Sequence, residues 1–137
     1  MTESTPSNAS HIGLTTLVVR DYDEAIAFYV DKVGFELAED VAFPDGKRWV
    51  VVKPAGAETG LLLARADRPR QHRRVGDQTG GRVSLFLRAG DFHEAHTRML
   101  AAGVRFLEDP RHEPYGWVCV WEDLYGNRWD LLELAAS

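Results

Sequence analysis

The chain holds one cysteine, Cys119, so no intrachain disulfide can staple it. That scarcity fits a reducing compartment, and a cytoplasmic location is the expectation. No apolar run approaches the roughly 20 residues that span a bilayer, so no membrane partner is expected. Basic charge is in deficit as well. Sixteen Lys and Arg against 21 Asp and Glu leave a net charge of −5, which argues against nucleic acid or an anionic membrane surface as the main partner. Glycine-rich phosphate loops and nucleophile elbows are missing. The opening "MTESTPSNAS" has neither a basic start nor an apolar stretch, so residues 1–12 read as a disordered leader, not a signal peptide. A length of 137 residues suits one domain, or two small modules sharing a core.

What is present is a repeat. "DYDEAIAFYVDKVGF" starts at Asp21, and "DFHEAHTRMLAAGVRF" starts 70 positions later at Asp91. Tyr22, Ala25, Ile26, Tyr29 and Val33 recur at helical spacing, as do Phe92, Ala95, Met99 and Gly103. Each segment opens on Asp with Glu three residues on, an Asp form of the capping box. Each closes at a glycine, Gly34 or Gly103. Before each helix lies a β-rich run, "LTTLVVR" from Leu14 or "RVSLFLR" from Arg82. After each, "RWVVVK" from Arg48 resembles "GWVCVW" from Gly116, which sets Trp49 68 positions before Trp117. "GLLLARA" from Gly60 likewise matches "RWDLLEL" from Arg128. The unit is strand, helix, strand, strand, strand. It is expected at residues 13–65 and 82–135, with the polar, arginine-rich residues 66–81 as linker. The fold class is α+β. A helix covers one face of each sheet, and two such modules side by side can curve their free faces into a shared curved sheet with a central cleft.

A tandem βαβββ pair of this length resembles the vicinal oxygen chelate superfamily, which includes glyoxalase I, extradiol dioxygenases, fosfomycin-resistance enzymes and bleomycin-binding proteins. The likeness rests on "VVRDYDEAIAFYVDKVGFEL" from Val18, "AAGVRF" from Ala101 and "EDLYGNRWDLLEL" from Glu122. It implies a homodimer, often with modules paired across subunits. It also implies four metal-ligand positions, one on the first and one on the last strand of each module. Carried over, these fall on Leu14, Leu62, Ser84 and Asp130. Leucine offers no donor atom and serine is a poor ligand for such metals, so no metal and no cofactor are expected. His11, three residues before Leu14, could reach the cleft only through a slipped register. His93 and His96 in "HEAH" are three apart, not four as in the zinc-protease motif, and read as structural. His72 and His112 fall in expected loops near the cleft rim.

Alternation along strands assigns the lining of the expected cleft. Arg128, Asp130 and Leu132 share one face, with Trp129 and Leu131 beneath the helix. Ser84, Phe86 and Arg88 share another. Tyr115, Trp117, Cys119 and Trp121 form a third set, and Lys47, Trp49 and Val51 a fourth. The expected ligand-binding residues are Trp49, Ser84, Phe86, Arg88, Tyr115, Trp117, Trp121, Arg128 and Asp130. Such an aromatic surface suits a small planar or amphipathic ligand. The favoured expectation is a binding protein of the bleomycin-resistance type. The alternative is a glyoxalase-like lyase or isomerase, or a dioxygenase, metal-dependent or using Asp130 as a catalytic general base.

Overall fold

A computed structural model describes residues 8–136. The first module runs β1 (Leu14–Val19), α1 (Tyr22–Ile26, continuing as a π-helix over Ala27–Val33), β2 (Glu36–Ala42), β3 (Arg48–Lys53) and β4 (Gly60–Arg65). The segment read as linker holds a short helix, α2 (Pro69–His72). The second module runs β5 (Val83–Arg88), α3 (Phe92–Ala101), β6 (Arg105–Phe106), β7 (Arg111–Glu113), β8 (Gly116–Glu122) and β9 (Arg128–Leu134). β7 is a short addition beside β8. The fold is thus α+β, two βαβββ modules in tandem. Among the described residues, no helix is long and apolar enough to cross a membrane.

Each module makes its own sheet. The orders are β1-β4-β3-β2 and β5-β9-β8-β6, with the first pair of each parallel and the rest antiparallel. The helix boundaries follow the local chemistry. Asp21 accepts the Glu24 N–H at 2.8 Å and Asp91 accepts the Glu94 N–H at 3.1 Å, each satisfying a donor left free at a helix start. Gly34 and Gly103 close the helices at φ of 94° and 95°, where a side chain would be strained. The first helix departs from its expected regular form. Its π-turns bring Phe28 and Val33, five residues apart, onto the same buried side as Tyr29.

The helix-covered faces of both sheets share one core. Leu17, Val19, Leu61 and Leu63 from the first sheet join Cys119, Trp121, Trp129 and Leu131 from the second. The π-helix packs between them: Phe28 lies 6.5 Å from Trp121, and Tyr29 lies 5.9 Å from Trp129, ring centre to ring centre. Both free faces therefore point away from the common core. Each chain thus carries two free sheet faces, one per module.

A buried polar latch fastens the modules. Asp123, only 4% exposed, opens the "DLYGN" turn and accepts the N–H groups of Tyr125 and Asn127 on Oδ1, both at 2.9 Å. Its Oδ2 accepts the Asn127 amide at 3.0 Å and the Tyr29 hydroxyl of the first module at 2.6 Å. The Asp, Asn and Gly of that motif thus build a turn and an intermodule bond.

Candidate functional site

Cross-strand pairing decides which residues reach the free faces, because residues opposite one another in a sheet share a side. On the first sheet Val51 pairs with Leu62, Thr16 with Leu62, and Trp49 with Val41, so Trp49 is on the free face as expected. On the second, Phe86 and Val120 flank Asp130, and Arg88 and Val118 flank Leu132. Phe86, Arg88, Arg128 and Asp130 therefore lie on one free face, whereas a register shift between Val83 and Leu85 sets Val83 opposite Arg128 and leaves Ser84 unpaired at the irregularity.

Trp117 and Trp121 do not. Trp121 pairs with Trp129 and Cys119 with Leu131, all four inward-facing. Trp121 is fully buried, with its ring stacked 4.8 Å from Trp129. The expectation that Trp117 mirrors Trp49 fails by one residue. Six residues (54–59) join β3 to β4 but only five (123–127) join β8 to β9. The last strands repeat at a spacing of 68, but β8 follows β3 at 69, so Trp117 answers to Arg48 and Val118 to Trp49. A slip of one turns every side chain to the other face. Tyr115 precedes β8, and its carbonyl accepts the Ala135 N–H at 2.7 Å; its side chain is half exposed.

The first module carries a groove of about 430 Å³ on and beside its free face. Thr16, Val18, Leu62 and Trp49 form its wall, and Phe43 and Lys47 close one end. The "PDG" turn between β2 and β3 places those two together, with the Phe43 N–H bonded to the Lys47 carbonyl at 2.8 Å. The turn signal is readable in the sequence, and alternation sets Lys47 on the face of Trp49, but that the turn brings Phe43 to the groove is not. Arg48 is held by Asp40 at 2.7 Å and Asp23 at 2.9 Å. Arg65 lies over the Tyr22 ring at 5.1 Å.

On the second free face, Asp130 is half-buried and its Oδ1 is enclosed without a hydrogen-bond partner. Burial raises its pKa, nearby Arg111 opposes that, and Glu108 adds to it. Arg111 is itself engaged by Glu108 at 2.8 Å and Glu113 at 3.0 Å. Ser84 donates to the Arg128 carbonyl at 3.1 Å. Phe86 stands 63% exposed beside Asp130, an unusual position for a phenyl ring.

The four positions where metal-dependent relatives place ligands divide between the sheets: Leu14 and Leu62 in the first, Ser84 and Asp130 in the second. These residues do not fit a divalent ion, since two lack donor atoms. His11 is exposed and lies before β1. No group of three or more His, Cys, Asp or Glu placed to hold a metal occurs among the described residues. His93 and His112 pack on Trp117 at 4.6 and 4.5 Å, and His96 on Phe106 at 4.4 Å. His112 belongs to β7 opposite Trp117, on the helix side and not the cleft rim. His72 ends α2. Cys119 is buried in the core, and burial pushes its thiol up to about 12, as suits a packing residue.

Residues 11–131 match the Glyoxalase/Bleomycin resistance protein/Dioxygenase superfamily, and the chain belongs to that family. An uncharacterized protein of Shewanella frigidimarina (strain NCIMB 400) is 54% identical over 120 residues, covering 86% of this chain and 89% of its own. Among solved structures, UcmS2 superposes with a TM-score of 0.79 at 27% identity, over 90% of this chain and 98% of the other. TnmS3, an antibiotic binding protein from Streptomyces sp. CB03234, superposes with a TM-score of 0.75 at 30% identity, over 95% of this chain and all of the other.

Proposed function

We propose that this protein is a cytoplasmic homodimer that binds an aromatic or amphipathic small molecule, of the kind represented by antibiotics, without the family's metal site. The observation that carries this reading is the pair of free faces, rich in apolar and aromatic groups and with leucine at two of the four metal-ligand positions. The likeness to an antibiotic-binding protein supports it. Trp49 on the first sheet, and Phe86 and Asp130 with Ser84, Arg88 and Arg128 on the second, are the contacts we assign, Asp130 as a polar anchor. Trp49 is 38% exposed and its indole N–H reaches Glu39 at 3.3 Å, so its emission is placed to report a stacked ligand. Titrating intrinsic fluorescence against planar compounds, including bleomycin-like and quinone drugs, is expected to give saturable quenching for at least one. Trp49→Ala is expected to weaken that ligand by about tenfold, about 1.4 kcal/mol. Silence across a broad panel sinks the proposal.

The second reading is an enzyme, favoured by the raised pKa and orphan oxygen of Asp130, which suit a general base. Its conventional form needs a bound metal. Stoichiometric Zn, Ni, Mn or Fe in purified protein, lost on Asp130→Ala, overturns the binding-only reading. Metal-free turnover abolished by the same substitution also overturns it.

A further inference from the structure

We infer that the first-module groove selects an aromatic acid, with the rings against Trp49 and Phe43 and the acid group at Arg65. The inference rests on the small-molecule reading above and gives the ligand a charge. The groove is flanked by three cations, and they are not equivalent. The Arg48 guanidinium is committed to Asp23 and Asp40. Lys47 shares a single loose contact with Asp67 at 3.7 Å. Arg65 has no carboxylate within 4 Å among the described residues, and the Gly46 carbonyl at 3.4 Å is its hydrogen-bond acceptor.

Arg65 is also held in place. Its guanidinium lies over the Tyr22 ring at 5.1 Å, with Arg48 on the same ring at 5.2 Å. A surface arginine with free rotation loses much of its attraction to ordering cost, whereas one held on a ring loses less on binding. Its planar fork keeps N–H groups for the two oxygens of a carboxylate. The surroundings set the rest of the ligand. The adjoining wall is apolar through Leu62, Val18 and Trp49, and Phe43 is 46% exposed at the end beside Lys47. A volume of about 430 Å³ admits a fused two- or three-ring system. Among the described residues, Asp67 is the one acidic residue lining the groove, and it faces Lys47 and Arg68. Arg48 is balanced by Asp23 and Asp40 and Lys47 faces Asp67, so among the described residues Arg65 is the groove cation left without a carboxylate partner.

The test compares anthraquinone-2-carboxylate with anthraquinone-2-carboxamide, which share rings and shape, by isothermal titration calorimetry on the full-length protein. The acid is expected to bind about tenfold tighter than the amide at low salt, and the gap to narrow as salt rises to about 300 mM. Arg65→Gln is expected to erase the preference. Arg73→Gln removes the same charge from the linker and is expected to keep the preference. Circular dichroism confirms that each variant is folded. Equal binding of acid and amide, or a preference that survives Arg65→Gln or vanishes with Arg73→Gln, overturns the inference and leaves the binding function standing. If neither anthraquinone binds, the inference falls. The binding function falls with it only if the wider drug panel is silent too.

Discussion

Asp130 shows what a residue's position reveals and what it hides. Its place in the strand is readable from the Gly126-Asn127 pair three residues earlier, and its face follows from alternation. Its enclosure is not readable, because the groups around it arrive from β7 and β5, distant in sequence. The enclosure has a consequence for stability. Burial sets the folded pKa above that of the unfolded chain, so as pH rises the unfolded state gives up its proton first. Stability therefore falls as pH climbs from about 4 through the folded value, and is level above it. Asp130→Asn cannot ionise. It is expected to be more stable than the parent at pH 7, with the advantage shrinking as pH approaches about 3.5. Urea midpoints at the two pH values check this. An equal difference at both, or a less stable variant at pH 7, contradicts it.

At the scale of elements, local chemistry was legible and non-local register was not. The helix starts at Asp21 and Asp91 and the stops at Gly34 and Gly103 are set by neighbouring backbone groups, so sequence suffices. The face of β8 depends on a connection one residue shorter than its counterpart, and both faces of that strand are apolar enough to hide the shift. Trp117 and Trp121 were misplaced for that reason. The π-turns of the first helix are not legible either; they go with the packing of Phe28 and Tyr29 against Trp121 and Trp129, which arrive from the other module. The latch from Tyr29 to Asp123 joins those same elements. Tyr29→Phe removes the 2.6 Å bond and leaves the buried carboxylate with three donors. The expected cost is about 2 kcal/mol in urea unfolding with an unchanged m-value. A loss below about 0.5 kcal/mol means that the turn holds Asp123 without help from the first module.

For the whole molecule, the repeat foretold the tandem modules but not which faces meet. Alternation groups residues by side, and here both sides carry leucine, valine and aromatic groups. The structure resolves this by joining the helix-covered faces through α1, which leaves the other two faces without cover. Leu14, Val41, Trp49 and Phe86 on those faces are 38%, 50%, 38% and 63% exposed, so apolar groups stand open on both. One copy offers two walls and no enclosure, so a second copy laid against them would turn half-sites into closed pockets. The expectation is a dimer by sedimentation equilibrium at micromolar protein, twice the 15.4 kDa of the chain. Phe86→Glu places a charge beside Asp130 on one wall, where like charges repel and an apolar contact is lost. It is expected to shift the protein to monomer and to weaken ligand binding by about tenfold or more. A parent protein that stays monomeric while binding its ligand at full strength would show that a single wall suffices, and the assembly proposed here would be wrong.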